Sequence, residues 1–128
     1  MSKKKVRTAI IGVGNCASAL VQGVQYYQNV NDNDSIPGLM NPVLGGYHIR
    51  DIEFSAAIDV VKGKVGKDLS EAVWAKPNNT YKFSDVPKLN VPVSRGMTHD
   101  GLGKYLLDHV EKAPGPTDDI VKILKETA

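Results

Sequence analysis

The apolar positions of the chain fall into two recurring patterns, and their alternation predicts the architecture. Val6, Ala9, Ile10 and Ile11 form a short apolar run ending at Gly12, as expected of a buried parallel strand over 6–12. Leu20, Val21, Val24 and Tyr27 then recur at helical spacing, predicting a helix over 16–27. A second strand is predicted over 52–58, closing at Asp59. A second helix follows over 61–75, with Val61, Val65, Leu69, Ala72 and Val73 on one face. Tyr81–Phe83 and Asn90–Val93 are both candidates for a third strand, and Pro92 suits a sheet edge. Residues 101–111 look helical. A last helix carries Ile120, Val121, Ile123 and Leu124, with Thr117 as its N-cap and Asp118 and Asp119 in its first turn. This alternation argues for an α/β domain built on a parallel sheet. Residues 29–46, rich in Asn, Asp, Gly and Pro, read as an insertion loop that is functional or mobile.

The turn between the first strand and the first helix carries the chemistry. Gly12-x-Gly14-x-x-Ala17 is the G-x-G-x-x-A spacing that cradles a pyrophosphate. Gly12 allows the tight turn, Gly14 lets backbone approach phosphate, and Ala17 lets the helix pack close to the strand. The free N–H groups and positive dipole end of the helix attract the anion. Asp59, at the end of the second strand, is placed to accept from ribose hydroxyls and to repel a 2′-phosphate, which favours NAD over NADP. It lies 42 residues beyond Ala17, against about 20 in the usual motif, and the 29–46 insertion accounts for the excess. A simpler role for Asp59, capping the helix that starts near Val61, is compatible with the first. The expected fold is therefore a Rossmann-like doubly wound parallel sheet.

Composition narrows the function classes. The 128 residues, 41% apolar and 23% charged, suffice for one domain over 1–128. The longest apolar runs are too short to span a bilayer, and no signal peptide opens the chain, so no membrane partner is expected. A net charge of +2 adds no argument for nucleic acid. The tail Ser2-Lys3-Lys4-Lys5 reads as a solvated lead-in. The single cysteine, Cys16, excludes an internal disulfide and fits a reducing cytoplasm. With no paired base it reads as a packing residue beside the pyrophosphate, not a nucleophile. His48, His99 and His109 show no zinc-ligand spacing, so no metal site is expected. Lys62, Lys64 and Lys67 read as a solvated helix face, and Trp74 and Tyr81 as packing residues.

Four stretches, GVGNCASALVQGVQYY (12–27), PGLMNPVLGGYHIRDIEFSAAIDV (37–60), KVGKDLSEAVWAKPNNT (64–80) and VSRGMTHDGLGKY (93–105), resemble the bacterial branch of the myo-inositol-1-phosphate synthases. The resemblance is collinear over nearly the whole chain. It implies an NAD-dependent isomerase, cytoplasmic and homo-oligomeric, that converts glucose 6-phosphate to inositol phosphate by internal oxidation, aldol cyclisation and reduction. It implies that Gly12, Gly14, Asn15, Cys16 and Ala17 form the pyrophosphate loop, that Asp59 binds ribose, and that Asn78, Asn79 and Thr80 lie near the cofactor. Gly96-x-Thr98-x-Asp100-Gly101 matches a family stretch, but Met97 and His99 depart from the Pro and Leu expected there, and no chemistry is assigned to it. The family's catalytic lysines and substrate-phosphate ligands lie in a later domain, so no catalytic residue is assigned.

In a doubly wound sheet the first strand lies centrally, flanked by strands two and four. Here the chain stops on a helix where strand four should follow, so one edge of the first strand is expected to lack a partner. The sequence thus reads as the front of a larger protein, inactive alone, whose partners are the C-terminal catalytic part or other subunits. The competing reading is a stand-alone NAD-binding or redox-sensing module without catalysis.

Overall fold

A computed structural model describes residues 5–99 and 102–128. Ser2, Lys3 and Lys4 of the basic tail, and Asp100 and Gly101, lie outside the described residues. The apolar first segment forms β1 (Val6–Ile11), and the helical pattern after it forms α1 (Asn15–Tyr26). The 29–46 segment is mostly turns and bends, ending in a small antiparallel pair, β2 (Val43–Leu44) and β3 (Tyr47–His48). His48 is buried, accepts from the Arg50 N–H and pairs its Nε2 with the Val30 carbonyl. It therefore fastens this segment to the start of β4 (Ile52–Asp59).

β4 is the centre of a three-stranded parallel sheet in the order β1-β4-β5, with β5 at Val93–Arg95. Among the described residues no strand pairs with the other edge of β1. One face of the sheet carries the core, where Ile10, Phe54, Ala57 and Val93 meet Val21 and Val24 of α1 and Leu69, Ala72 and Val73. On α1 the buried set is Ala17, Ser18, Val21, Gln22 and Val24, while Leu20 is exposed. Gln22 is buried because its side chain has a task. Its Oε1 accepts from the Phe83 and Ser84 N–H groups, and its Nε2 donates to the Tyr81 carbonyl.

That task explains one departure from the expected elements. Tyr81–Phe83 gives its backbone to Gln22, not to a neighbouring strand, and Tyr81 points outward at 82% exposure. The third strand begins at Val93, at the end of the other candidate. The helix expected over 61–75 shrinks to α2 (Leu69–Ala72). Gly66, at a φ of +85°, stands in the middle of that span, and Asp68 starts the helix as an N-cap by accepting from the Ser70 N–H. Lys64, expected on a solvated face, is only 3% exposed. Residues 104–109 form turns, not the helix expected over 101–111. The last helix, α3 (Ile120–Thr127), is capped by Asp119. Thr117 and Asp118 instead bond back to Gly96 and Arg95, tying the approach to α3 to the end of β5. None of the α3 side chains is buried, although the helix lies against β4.

Candidate nucleotide site

The strands end together, and the turn after β1 sits at that end. Gly12 takes a φ of +91°, which a side chain would strain, and its N–H donates to the Ile58 carbonyl at 2.8 Å. Gly14 is the extended N-cap of α1, with no side chain capping the helix. A Cβ built on Gly14 meets no atom within 4 Å, so the turn opens onto free space. The first helical hydrogen bond from this end is Ser18 N–H to the Gly14 carbonyl, at 2.9 Å. The N–H groups before it point out of the helix end, with the positive pole of the dipole behind them. Ala17 is buried against the sheet, and Cys16 is exposed at the helix mouth.

Asp59 is wired into this turn. Its Oδ2 accepts from the Val13 N–H at 2.7 Å, and its Oδ1 accepts from the Val60 and Val61 N–H groups at 2.7 and 2.9 Å. No helix starts near Val61, so the expected helix cap is instead an acceptor for the turn after β4, and it leaves room for another role. A carboxylate has about four acceptor positions, and these three bonds leave one on Oδ2.

Asn78, Asn79 and Thr80 come to the same place from the far end of the α2 segment. Asn15 and Asn79 exchange two 2.8 Å bonds, side chain to side chain and backbone N–H to side chain. The Thr80 hydroxyl donates to Asn15 Oδ1 at 2.8 Å. Asn78 reaches under the turn and donates from Nδ2 to the Val13 and Val73 carbonyls, both at 3.0 Å. The structure thus gathers Gly12, Gly14, Asn15, Cys16, Ala17, Asp59, Asn78, Asn79 and Thr80 around one turn.

One further residue belongs to the group and escaped the sequence reading. Lys64 Nζ donates to the Val13 carbonyl and to Asn78 Oδ1, each at 2.8 Å. Burial pushes its pKa down from 10.5, and the negative charge of Asp59 pushes it back up. Only the glycines on either side, Gly63 and Gly66, signalled that this lysine does not ride on a regular helix. Beside the turn, a cavity of about 320 Å³ is lined mainly by apolar residues, among them Ile11, Ile58, Val60, Met97 and Ile120, with Asp59 and His99 as its charged or polar side chains. No cluster of three His, Cys, Asp or Glu side chains suited to a metal occurs among the described residues.

Relatives in sequence match nearly the whole chain. The inositol-3-phosphate synthase of Mycolicibacterium smegmatis is 56% identical over 122 residues, covering 95% of this chain and 34% of that protein. That of Mycobacterium tuberculosis is 54% identical over 122 residues, covering 95% of this chain and 33% of that protein. That of Corynebacterium glutamicum is 46% identical over 124 residues, covering 97% and 34%. The chain is a relative of the inositol-3-phosphate synthases. It spans about a third of the length of these curated relatives. No family model matches it. The crystal structure of Ari2 superposes with a TM-score of 0.72 at 31% identity, covering 97% of this chain and 36% of that one. A myo-inositol-1-phosphate synthase-related protein from Thermotoga maritima superposes with a TM-score of 0.56 at 23% identity, covering 96% and 29%, a likeness of fold alone. No described helix is long and apolar enough to cross a membrane.

Proposed function

We propose that this chain is the NAD-binding part of an inositol-3-phosphate synthase, which isomerises D-glucose 6-phosphate to inositol phosphate. The observation that carries the reading is the open helix mouth behind Gly12 and Gly14, with Asp59 at the end of the adjacent parallel strand. The order β1-β4-β5 supports a Rossmann-like doubly wound sheet, of which these are the first three strands. The open edge of β1 is where a fourth strand would pair. The proposed partners are accordingly the C-terminal catalytic part and other subunits of a cytoplasmic homo-oligomer.

The residues divide the work. Gly12 turns the chain, and Gly14 leaves room for the pyrophosphate against the α1 N–H groups. Asp59 keeps one acceptor position for a ribose hydroxyl while its other bonds hold the turn. Asn79 and Thr80 brace Asn15 at the helix mouth, so the donors are ordered before a ligand arrives. The mainly apolar cavity beside Asp59 and His99 suits the adenine ring. Bound NAD supplies the hydride acceptor and donor of the isomerisation.

Cofactor choice tests the reading. A 2′-phosphate beside Asp59 would bring two negative charges together in a partly buried place, so NAD should bind at least about tenfold more tightly than NADP by calorimetry. Equal or tighter NADP binding would remove Asp59 from the ribose site.

A further inference from the structure

Val13 is gripped on both sides from beneath the turn. The carboxylate of Asp59 holds its N–H at 2.7 Å, and Lys64 and Asn78 hold its carbonyl at 2.8 and 3.0 Å. That carbonyl belongs to the same planar peptide as the Gly14 N–H, and in a trans peptide the two point in opposite directions. A cation that draws the Val13 oxygen inward therefore turns the Gly14 N–H the opposite way, away from Lys64, beside a turn that is open around Gly14. Asn78 alone could satisfy the carbonyl. Burying a lysine adds a desolvation cost that an apolar side chain of the same length would avoid. Nor does Asp59 need the ammonium as a hydrogen-bond partner, since three N–H groups already serve it. What the lysine adds is positive charge directly beneath the turn.

We propose that Lys64 is a positioning residue of the nucleotide site, whose buried ammonium orients and polarises the Val13–Gly14 peptide to donate to a bound diphosphate. The inference rests on the dinucleotide reading above, and deepens it by assigning the charge that makes the turn selective for a phosphorylated nucleotide.

ADP and adenosine separate this role from a structural one, because they share base and ribose and differ only in the diphosphate. Both are titrated into the 128-residue chain and into Lys64→Met and Lys64→Gln, with folding followed by amide NMR spectra. Lys64→Met should weaken ADP about tenfold or more and leave adenosine within about twofold, so the preference for ADP collapses. Lys64→Gln keeps a neutral donor and should fall between. A folded Lys64→Met protein with its ADP preference intact overturns the proposal, as does an equal loss for both ligands, which would mean a structural role only. If the Met variant does not fold, the Gln variant decides on the same ratio. No preference for ADP in the unsubstituted chain would overturn the dinucleotide reading, and this inference with it.

Discussion

The chain crosses between parallel strands twice, from β1 to β4 and from β4 to β5. The first crossing uses a 12-residue helix whose inner face is buried on the sheet. The second covers 60–92 with one short helix, α2, and a series of turns. Both bury most of the inner positions that their spacing marks, Val21 and Val24 in the first and Leu69, Ala72 and Val73 in the second. They differ in what holds the backbone. In the first, the helix supplies its own hydrogen bonds. In the second, backbone bonds within turns and to residues 91 and 93 are joined by polar side chains: Asp68 accepts from the Ser70, Leu89 and Val91 N–H groups, and Lys64 and Asn78 tie the loop to the glycine turn. Apolar spacing thus reports burial in both, and regular structure in only one.

If this contrast is right, the second crossing depends more heavily on single side chains. Asp68→Ala removes a helix cap and strands the Leu89 and Val91 N–H groups in a part-buried place. It should cost about 3 kcal/mol of stability in urea denaturation. The pH dependence has the same origin. Burial of Asp68 works to raise its pKa, but the Ser70 hydroxyl and the Leu89, Ser70 and Val91 N–H groups outweigh it and hold the group below 3.8. A depressed folded-state pKa means that its stabilisation is fully present above 3.8 and is lost as pH falls through the folded value. Asp68→Asn should flatten that acid limb. A loss below about 1 kcal/mol for the Ala variant, or an unchanged acid limb for Asn, would break the contrast.

Gln22→Ala sharpens it from the other side. The helix keeps its own ladder, and the change only frees the 81–84 segment that Gln22 holds. The expected cost is about 2 kcal/mol, with faster amide exchange confined to residues 81–84. Exchange that spread through α1 would mean that the helix depends on this side chain as the second crossing depends on Asp68.

The same contrast explains how far the sequence could be read. β1, α1 and β4 were legible because an apolar strand, a glycine turn and a helical stripe each act locally. The glycine turn and Asp59 at a strand end were legible for the same reason, whereas Asn78, Asn79 and Thr80 were pointed to only by a family resemblance. The α2 segment was not. Its pattern Val61, Val65, Leu69, Ala72 and Val73 fits a helix, and only the positive φ at Gly66 and the cap at Asp68 deny it. Lys64 was misplaced with it, because a lysine on a supposed helix face gives no sign of a partner 51 residues earlier. The turns over 104–109 were misread because Leu106, Leu107 and Val110 imitate a helical stripe. Leu106 and Leu107 are in fact exposed.

The proposed function requires the turn at Gly12–Gly14 to receive the pyrophosphate of NAD. Gly14→Val is the sharpest test, because a Cβ there meets no protein atom within 4 Å and its φ of −94° suits any residue. The substitution should therefore spare the fold while filling the ligand's space. Calorimetric titration of NAD into both proteins, with a thermal melt as control, makes the measurement. The melt should be unchanged and the affinity lower by about a hundredfold or more; NAD binding that persists within a few-fold in a folded Gly14→Val protein would remove this turn from the cofactor site.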